Sequence, residues 1–227
     1  MKIGVFGTSM VGRTLAGKLA ELGHEVMVGT RDVAGTMARA EPGPFGLPPF
    51  SAWLKQTTGV KVGTFADAAG HAEVVLNATN GMVTLEALGL AGAAHLNGKI
   101  LIDISNPLDF SKGMPPTLSV CNTDSLGEQI QRAYPGVKVV KTLNTVTASL
   151  MVNPGQLAAG EHSLFVSGND AAAKAQVRQW MMEWFGWKHV LDLGDITTAR
   201  GTEMYLPLWL RMWGALGTGI FNIQVVS

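Results

Sequence analysis

Cysteine occurs once in these 227 residues, as Cys121, so neither a disulfide framework nor cysteine-based zinc spacing is available, and the chain suits a reducing compartment. A surplus of one charge is missing too. Seventeen lysines and arginines balance 17 aspartates and glutamates, and no stretch gathers basic residues, which argues against nucleic acid or an anionic membrane surface as a partner. The histidines, His24, His71, His95, His162 and His189, stand in no ligand spacing and beside no nucleophile. No metal is expected, and each reads as a surface or turn residue. Ser9 is no hydrolase nucleophile, because the strand-to-helix elbow needs glycine two residues on and Val11 stands there. One apolar stretch, Met204 to Leu216, approaches the length of a membrane span, but Pro207, Arg211 and Gly214 interrupt it. The expectation is a buried helix or a dimer interface. An apolar strand starts at Lys2, leaving no room for a cleavable leader, and the expected location is the cytoplasm.

What the chain has in quantity is glycine, 28 residues, and apolar side chains, 47% of the total. That is enough core for one large domain, or for a domain with an appendage. The earliest glycines carry information by position. Lys2 to Phe6 is a short apolar run, Gly7-Thr8-Ser9-Met10-Val11-Gly12 is a tight turn, Arg13 to Leu22 has helical character, and Glu25 to Gly29 is a second apolar run. Strand, turn, helix and strand within about thirty residues make a beta-alpha-beta unit of the dinucleotide-binding kind. In such a unit Gly7 allows the sharp exit from the strand, Gly12 lets the helix approach the sheet, and the free N–H groups at the helix start favour a pyrophosphate. The middle glycine of the usual fingerprint is Ser9 here, so either the pyrophosphate sits slightly further out or the Ser9 hydroxyl bonds to it.

The end of the second strand selects the cofactor. An NAD enzyme usually carries an acidic residue there to hold the ribose 2′-hydroxyl. This chain carries Thr30 and Arg31, a hydroxyl and a guanidinium fork suited to a 2′-phosphate. NADP is the expected cofactor, with Asp32, one residue on, as the alternative pointing to NAD.

Two further strands, Glu73 to Asn77 and Lys99 to Ile104, are continuous apolar runs of the sort buried on both faces of a parallel sheet. Their ends, Asn77-Ala78-Thr79-Asn80-Gly81 and Ser105-Asn106-Pro107, should converge at the carboxyl edge, where Asn77, Ala78, Thr79, Ser105 and Asn106 would meet the nicotinamide ribose and ring. Between the second strand and residue 58, Pro42, Pro44, Pro48 and Pro49 predict a loop excursion with at most a short helix over 51–56. Asp124 reads as the N-cap of a helix reaching Ala133. Val137 to Val140 is a strand that leads into Lys141-Thr142-Leu143-Asn144-Thr145, where Lys141 suits either a substrate or a neighbouring carboxylate. Asn169 or Asp170 caps a helix to Trp184. The spacing of Trp180, Trp184, Trp209 and Trp213 is that of packed helix faces.

Together, the glycine turn from Gly7 to Gly12, the Thr30-Arg31 pair and the Lys141 to Thr145 segment resemble the family of NADP oxidoreductases dependent on coenzyme F420, a deazaflavin, and are similar to the reductase domain of the STEAP ferric reductases. The resemblance implies a doubly wound Rossmann α/β fold with a mostly parallel sheet and a short helical C-terminal extension. It implies pyrophosphate contacts from Gly7, Thr8, Ser9, Met10, Val11 and Gly12, 2′-phosphate contacts from Thr30 and Arg31, and a hydride-transfer site at Asn144 and Thr145. The expected division is 1–145 for NADP binding and 146–227 for completing the acceptor site and a homodimer interface. The expected activity is hydride transfer between NADPH and a flavin-like or deazaflavin acceptor. Reduction of a small imine or keto compound, or NADP sensing without catalysis, are the alternatives.

Overall fold

A computed structural model describes residues 1–226. Strands and helices alternate from the start: β1 (Lys2–Phe6), α1 (Met10–Glu21), β2 (Glu25–Thr30), α2 (Val33–Ala38), α3 (Phe50–Gln56), β3 (Val60–Thr64), α4 (Phe65–His71), β4 (Val74–Asn77), α5 (Thr84–Ala91), α6 (Ala93–Leu96) and β5 (Ile100–Asp103). A hairpin of two-residue strands follows, β6 (Leu108–Asp109) and β7 (Thr117–Leu118), then α7 (Leu126–Ala133) and β8 (Lys138–Lys141). The remainder is α8 (Ala148–Val152), β9 (Ser163–Val166), α9 (Ala171–Phe185), β10 (His189–Asp192), α10 (Ala199–Met204) and α11 (Leu206–Leu216).

Six parallel strands stand in the order β3-β2-β1-β4-β5-β8. This is the doubly wound order, with its reversal beside β1, and ligands of such sheets lie outside the carboxyl ends at that reversal. Side chains alternate across a strand, so the continuous apolar runs feed two cores at once. Val74, Leu76, Ile102 and Val140 pack with Leu15 of α1, Leu150 of α8 and Val177 of α9. Val75, Leu101 and Val139 pack with Ala68 of α4, Leu88 of α5 and Ile130 of α7. The segment from Val146 onward thus shares the first core with the N-terminal half. Its own parallel pair, β9 and β10, meets the main sheet through an antiparallel bridge between Lys141 and Ser167.

Several expectations change here. The proline-rich excursion holds two α-helices, with a short 3-10 turn at Pro44–Gly46 between them, rather than one helix, and Asp32 starts the first of them by accepting a hydrogen bond from the Gly35 N–H at 3.0 Å. Ser125 rather than Asp124 caps α7, accepting from the Glu128 N–H; Asp124 is instead clamped by both terminal nitrogens of Arg132 at 2.9 and 2.7 Å. A guanidinium fork eight residues along the chain competes better for that carboxylate than a backbone donor does. His162 is buried, with Nε2 against the Pro154 carbonyl and Nδ1 against the Asn222 amide, so it is no surface residue. Trp180 and Trp184 stack at 4.8 Å inside the core, as their spacing predicts. The apolar stretch from Met204 breaks at Tyr205 into α10 and α11, and of α11 only Leu206 is buried, which overturns the buried-helix expectation. No helix among the described residues is long and apolar enough to cross a membrane.

Candidate active-site cleft

At the carboxyl edge of the sheet lies a cleft of about 750 Å³, walled by the ends of β1, β2, β4 and β5 and by one side of α5. Its volume is of the size that holds a cofactor. The floor is the glycine turn. A Cβ on Gly12 would run into the Gly7 carbonyl, so glycine is what lets the start of α1 close down on the strand end. Ser9, the N-cap of this 12-residue helix, has extended backbone, is exposed, and makes no capping hydrogen bond with its side chain. Its hydroxyl therefore remains available beside the first-turn N–H groups, which have no partner within the helix. Gly7, Thr8, Ser9 and Val11 face the cleft; Gly12 is buried beneath it and Met10 does not line it.

At the β2 end stand Thr30, Arg31 and Asp32, all on the cleft wall. Thr30 is nearly buried, and its hydroxyl pairs with that of Thr36 on α2 at 2.9 Å. One oxygen of the Asp32 carboxylate is turned into its own helix, so Asp32 acts as a cap as well as lining the cleft. Arg31 reaches toward α5, where its Nη1 lies 3.3 Å from Glu86 Oε1. Sequence reasoning missed two residues here. Glu86 and Arg39 both line the cleft, Arg39 with a long 3.5 Å donation to the Thr36 hydroxyl. Neither has a local signature, since α2 and α5 bring them in from outside the glycine unit.

The two loops expected to converge do so. A Cβ on Gly81 would collide with the Asn106 carbonyl, so the loops after β4 and β5 touch backbone to backbone. Ala78, Thr79, Ser105 and Asn106 line the cleft, whereas Asn77 is wholly buried below it. The outer wall at this end is apolar, made of Ile104, Leu108 and Phe110. Asn144 and Thr145 do not line the cleft, and both are buried. Asn144 and Asn106 exchange two hydrogen bonds: the Asn106 amide donates to the Asn144 carbonyl at 2.9 Å, and the Asn144 amide donates to Asn106 Oδ1 at 3.0 Å.

Lys141 is fully buried, its ammonium 2.8 Å from both Asp103 Oδ2 and Glu203 Oε1, and donates to the Ser105 carbonyl. Burial by itself pushes this ammonium down, but Asp103 and Glu203 more than offset that and hold its pKa above the usual lysine range. It is a structural cation, and the substrate role left open for it falls away. Glu203 also accepts from the N–H groups of Leu126 and Gly127 at the start of α7, at 2.8 and 3.0 Å.

Arg13, also outside the sequence-read set, fastens the proline-rich excursion to this floor. Its guanidinium donates to the carbonyls of Thr8 and Pro48 and lies over the rings of Phe50 and Trp53 at 5.3 and 5.9 Å. Burial lowers its pKa somewhat. The residues present therefore fit a phosphorylated dinucleotide: an open glycine floor with a free hydroxyl, two guanidinium groups at one end and an apolar, uncharged wall at the other.

Residues 2–107 match the sequence model of the family described as NADP oxidoreductase, coenzyme F420-dependent. The chain is 28% identical over 225 residues to the metalloreductase STEAP3 of Rattus norvegicus, a match covering 97% of this chain and 40% of that protein. It is also 28% identical over 222 residues to the F420-dependent NADP reductase of Methanothermobacter marburgensis, covering 93% and 92% of the two chains. Among solved structures, a candidate F420-dependent NADP-reductase from Arthrobacter sp. FB24 superposes with a TM-score of 0.96 at 62% identity over the full length of both chains.

Proposed function

From the premise that the chain belongs to the family of NADP oxidoreductases dependent on coenzyme F420, we propose that it transfers hydride between NADPH and a flavin-like or deazaflavin acceptor. The observation that carries the acceptor class is the ring end of the cleft. Ile104, Leu108 and Phe110 stand there with the neutral Ser105 and Asn106, and the ionisable residues on the cleft wall, Arg31, Asp32, Arg39 and Glu86, belong to α5 or to the β2 end and the helix after it. Reduction of a small imine or carbonyl compound calls for a proton donor beside the reacting carbon, whereas hydride exchange between two flat rings calls for orientation and dryness.

In this reading the turn from Gly7 to Val11 and the Ser9 hydroxyl receive the pyrophosphate, with Gly12 setting the close approach. Arg31, with Thr30 shaping the pocket beneath it, receives the 2′-phosphate, and Arg39 adds a second guanidinium at the same end. Ala78, Thr79, Ser105 and Asn106 orient the nicotinamide half, Asn77 and Asn144 fix those loops from behind, and Thr145 is buried beside Asn144. When bound, the nicotinamide supplies or accepts the hydride. The protein's part is to present one ring face against the apolar wall and keep water from it.

The region from residue 146 is the proposed acceptor-side and self-pairing part of the chain, on the support that α11 leaves Leu208 and Leu216 exposed. The deciding experiment is titration of NADPH and NADH into cofactor-free protein, followed by turnover with F420, riboflavin, FMN and ferric chelates. Selective NADPH binding with turnover of one ring acceptor is expected. Selective binding without any turnover would replace the proposal with a sensor role, and turnover confined to imines or keto compounds would replace the acceptor class.

A further inference from the structure

The last residues of three adjacent strands form a polar row. Asn77 ends β4, Asp103 ends β5 and Lys141 ends β8, and the parallel register pairs Asn77 with Asp103 and Asp103 with Lys141. Residues in register on parallel strands point to the same side of the sheet, so the three side chains meet. The Asn77 amide donates to Asp103 Oδ1 at 2.8 Å, and the Lys141 ammonium donates to Asp103 Oδ2 at 2.8 Å. All three residues are within 1% of complete burial.

From this row the contacts run outward into the cleft loops. Asn77 Oδ1 accepts from the Thr79 hydroxyl at 2.7 Å, and Thr79 shares a hydrogen bond with the Thr84 hydroxyl at 2.8 Å. Asp103 Oδ1 accepts from the Ser105 hydroxyl at 2.6 Å and from its N–H at 3.2 Å, while Lys141 takes the Ser105 carbonyl at 2.5 Å. Ser105 is thus held by its hydroxyl, its N–H and its carbonyl. On the other side the ammonium reaches Glu203, which ties α10 and the start of α7 to the same point.

We propose that Lys141 is a positioning residue for the ring end of the cleft: its ammonium anchors the polar row and the Ser105 carbonyl, and so sets the loops that orient the nicotinamide half of the cofactor. The row is weak evidence of added stability, because well-packed apolar residues in place of a buried ion cluster are often no less stable. What apolar residues cannot do is hold a loop by three of its polar groups in one orientation. The adenosine end, built from Thr30, Arg31, Arg39 and Glu86, shares none of these contacts. The inference rests on the NADP reading above, and the following experiment separates the two.

Dissociation constants are measured by titration calorimetry for NADPH and for adenosine 2′,5′-diphosphate, which carries the phosphorylated adenosine end without the nicotinamide. Lys141→Met is expected to weaken NADPH about tenfold and to leave adenosine 2′,5′-diphosphate within about twofold. Equal weakening of both probes, or of neither, overturns the positioning role. Should Lys141→Met fail to fold, Glu203→Gln and Ser105→Ala are the readouts, the first keeping the Lys141–Asp103 pair and the second removing only a hydroxyl. Each is expected to show the same split at about threefold, and its absence overturns the proposal. Wild-type protein that binds neither probe would instead defeat the NADP reading, and this inference with it.

Discussion

Arg31 and Glu86 form an ion pair between the end of β2 and α5, with Nη1 and Oε1 3.3 Å apart and both side chains more than half exposed. The guanidinium read from the sequence as the 2′-phosphate ligand thus has a carboxylate as its partner in the protein alone. An incoming phosphate must compete for it.

Arg31→Ala is expected to raise the NADP dissociation constant about tenfold or more and to change that for NAD much less, because a charge-assisted hydrogen bond is worth about 1.5–3 kcal/mol and only NADP presents the extra phosphate. Equal effects on both nucleotides, read by fluorescence titration, would remove Arg31 from the 2′-phosphate site.

Glu86→Gln should act in the opposite direction. An exposed pair contributes about 0.2–1 kcal/mol and is screened by salt, so freeing Arg31 is expected to tighten NADP by up to about fivefold at low ionic strength and by less in high salt. Weaker NADP binding in the variant would mean that Glu86 holds the arginine in place rather than competing for it.

Asp32→Ala tests the displaced NAD reading. The lost cap on α2 should lower stability by about 0.5–2 kcal/mol in denaturant titrations, and NAD affinity should stay where it was. A selective loss of NAD would place the Asp32 carboxylate on the ribose after all.

The Asp124–Arg132 clamp predicts an acid limb. Arg132 holds the Asp124 carboxyl down at about 2, against an ordinary 3.8. A group whose pKa is depressed on folding stabilises the fold above its unfolded value and loses that contribution as pH falls. The melting-temperature gap between wild type and Arg132→Met should therefore be full above about pH 4 and shrink toward pH 2. A gap independent of pH would mean that Arg132 contributes by packing alone.

Much of the fold was legible because its cues are local. Continuous apolar runs identify strands buried on both faces, and a glycine turn between strand and helix identifies the first crossover. The cleft loops were legible for the same reason, since every parallel strand delivers its C-terminal turn to one edge. Helix α2 was not, because Asp32 was weighed as a ribose ligand and its role as a cap depends on the Gly35 N–H turning back toward it. Which residues pair with Arg31, Asp124 and Lys141 was equally out of reach, although a carboxylate was one expectation for Lys141: the partners lie 55, 8 and 38 residues away.

The sequence by itself determined the parallel sheet, the glycine floor and the arginine at the β2 end, because backbone preference and hydrophobic periodicity act over a few residues. Only the tertiary structure decided which polar groups meet. It put Asn144 behind Asn106 and buried Thr145, withdrew Lys141 from solvent and set it between Asp103 and Glu203, and gave Arg31 a partner on α5. Electrostatic pairing depends on distance and burial, and neither exists until separate elements have packed.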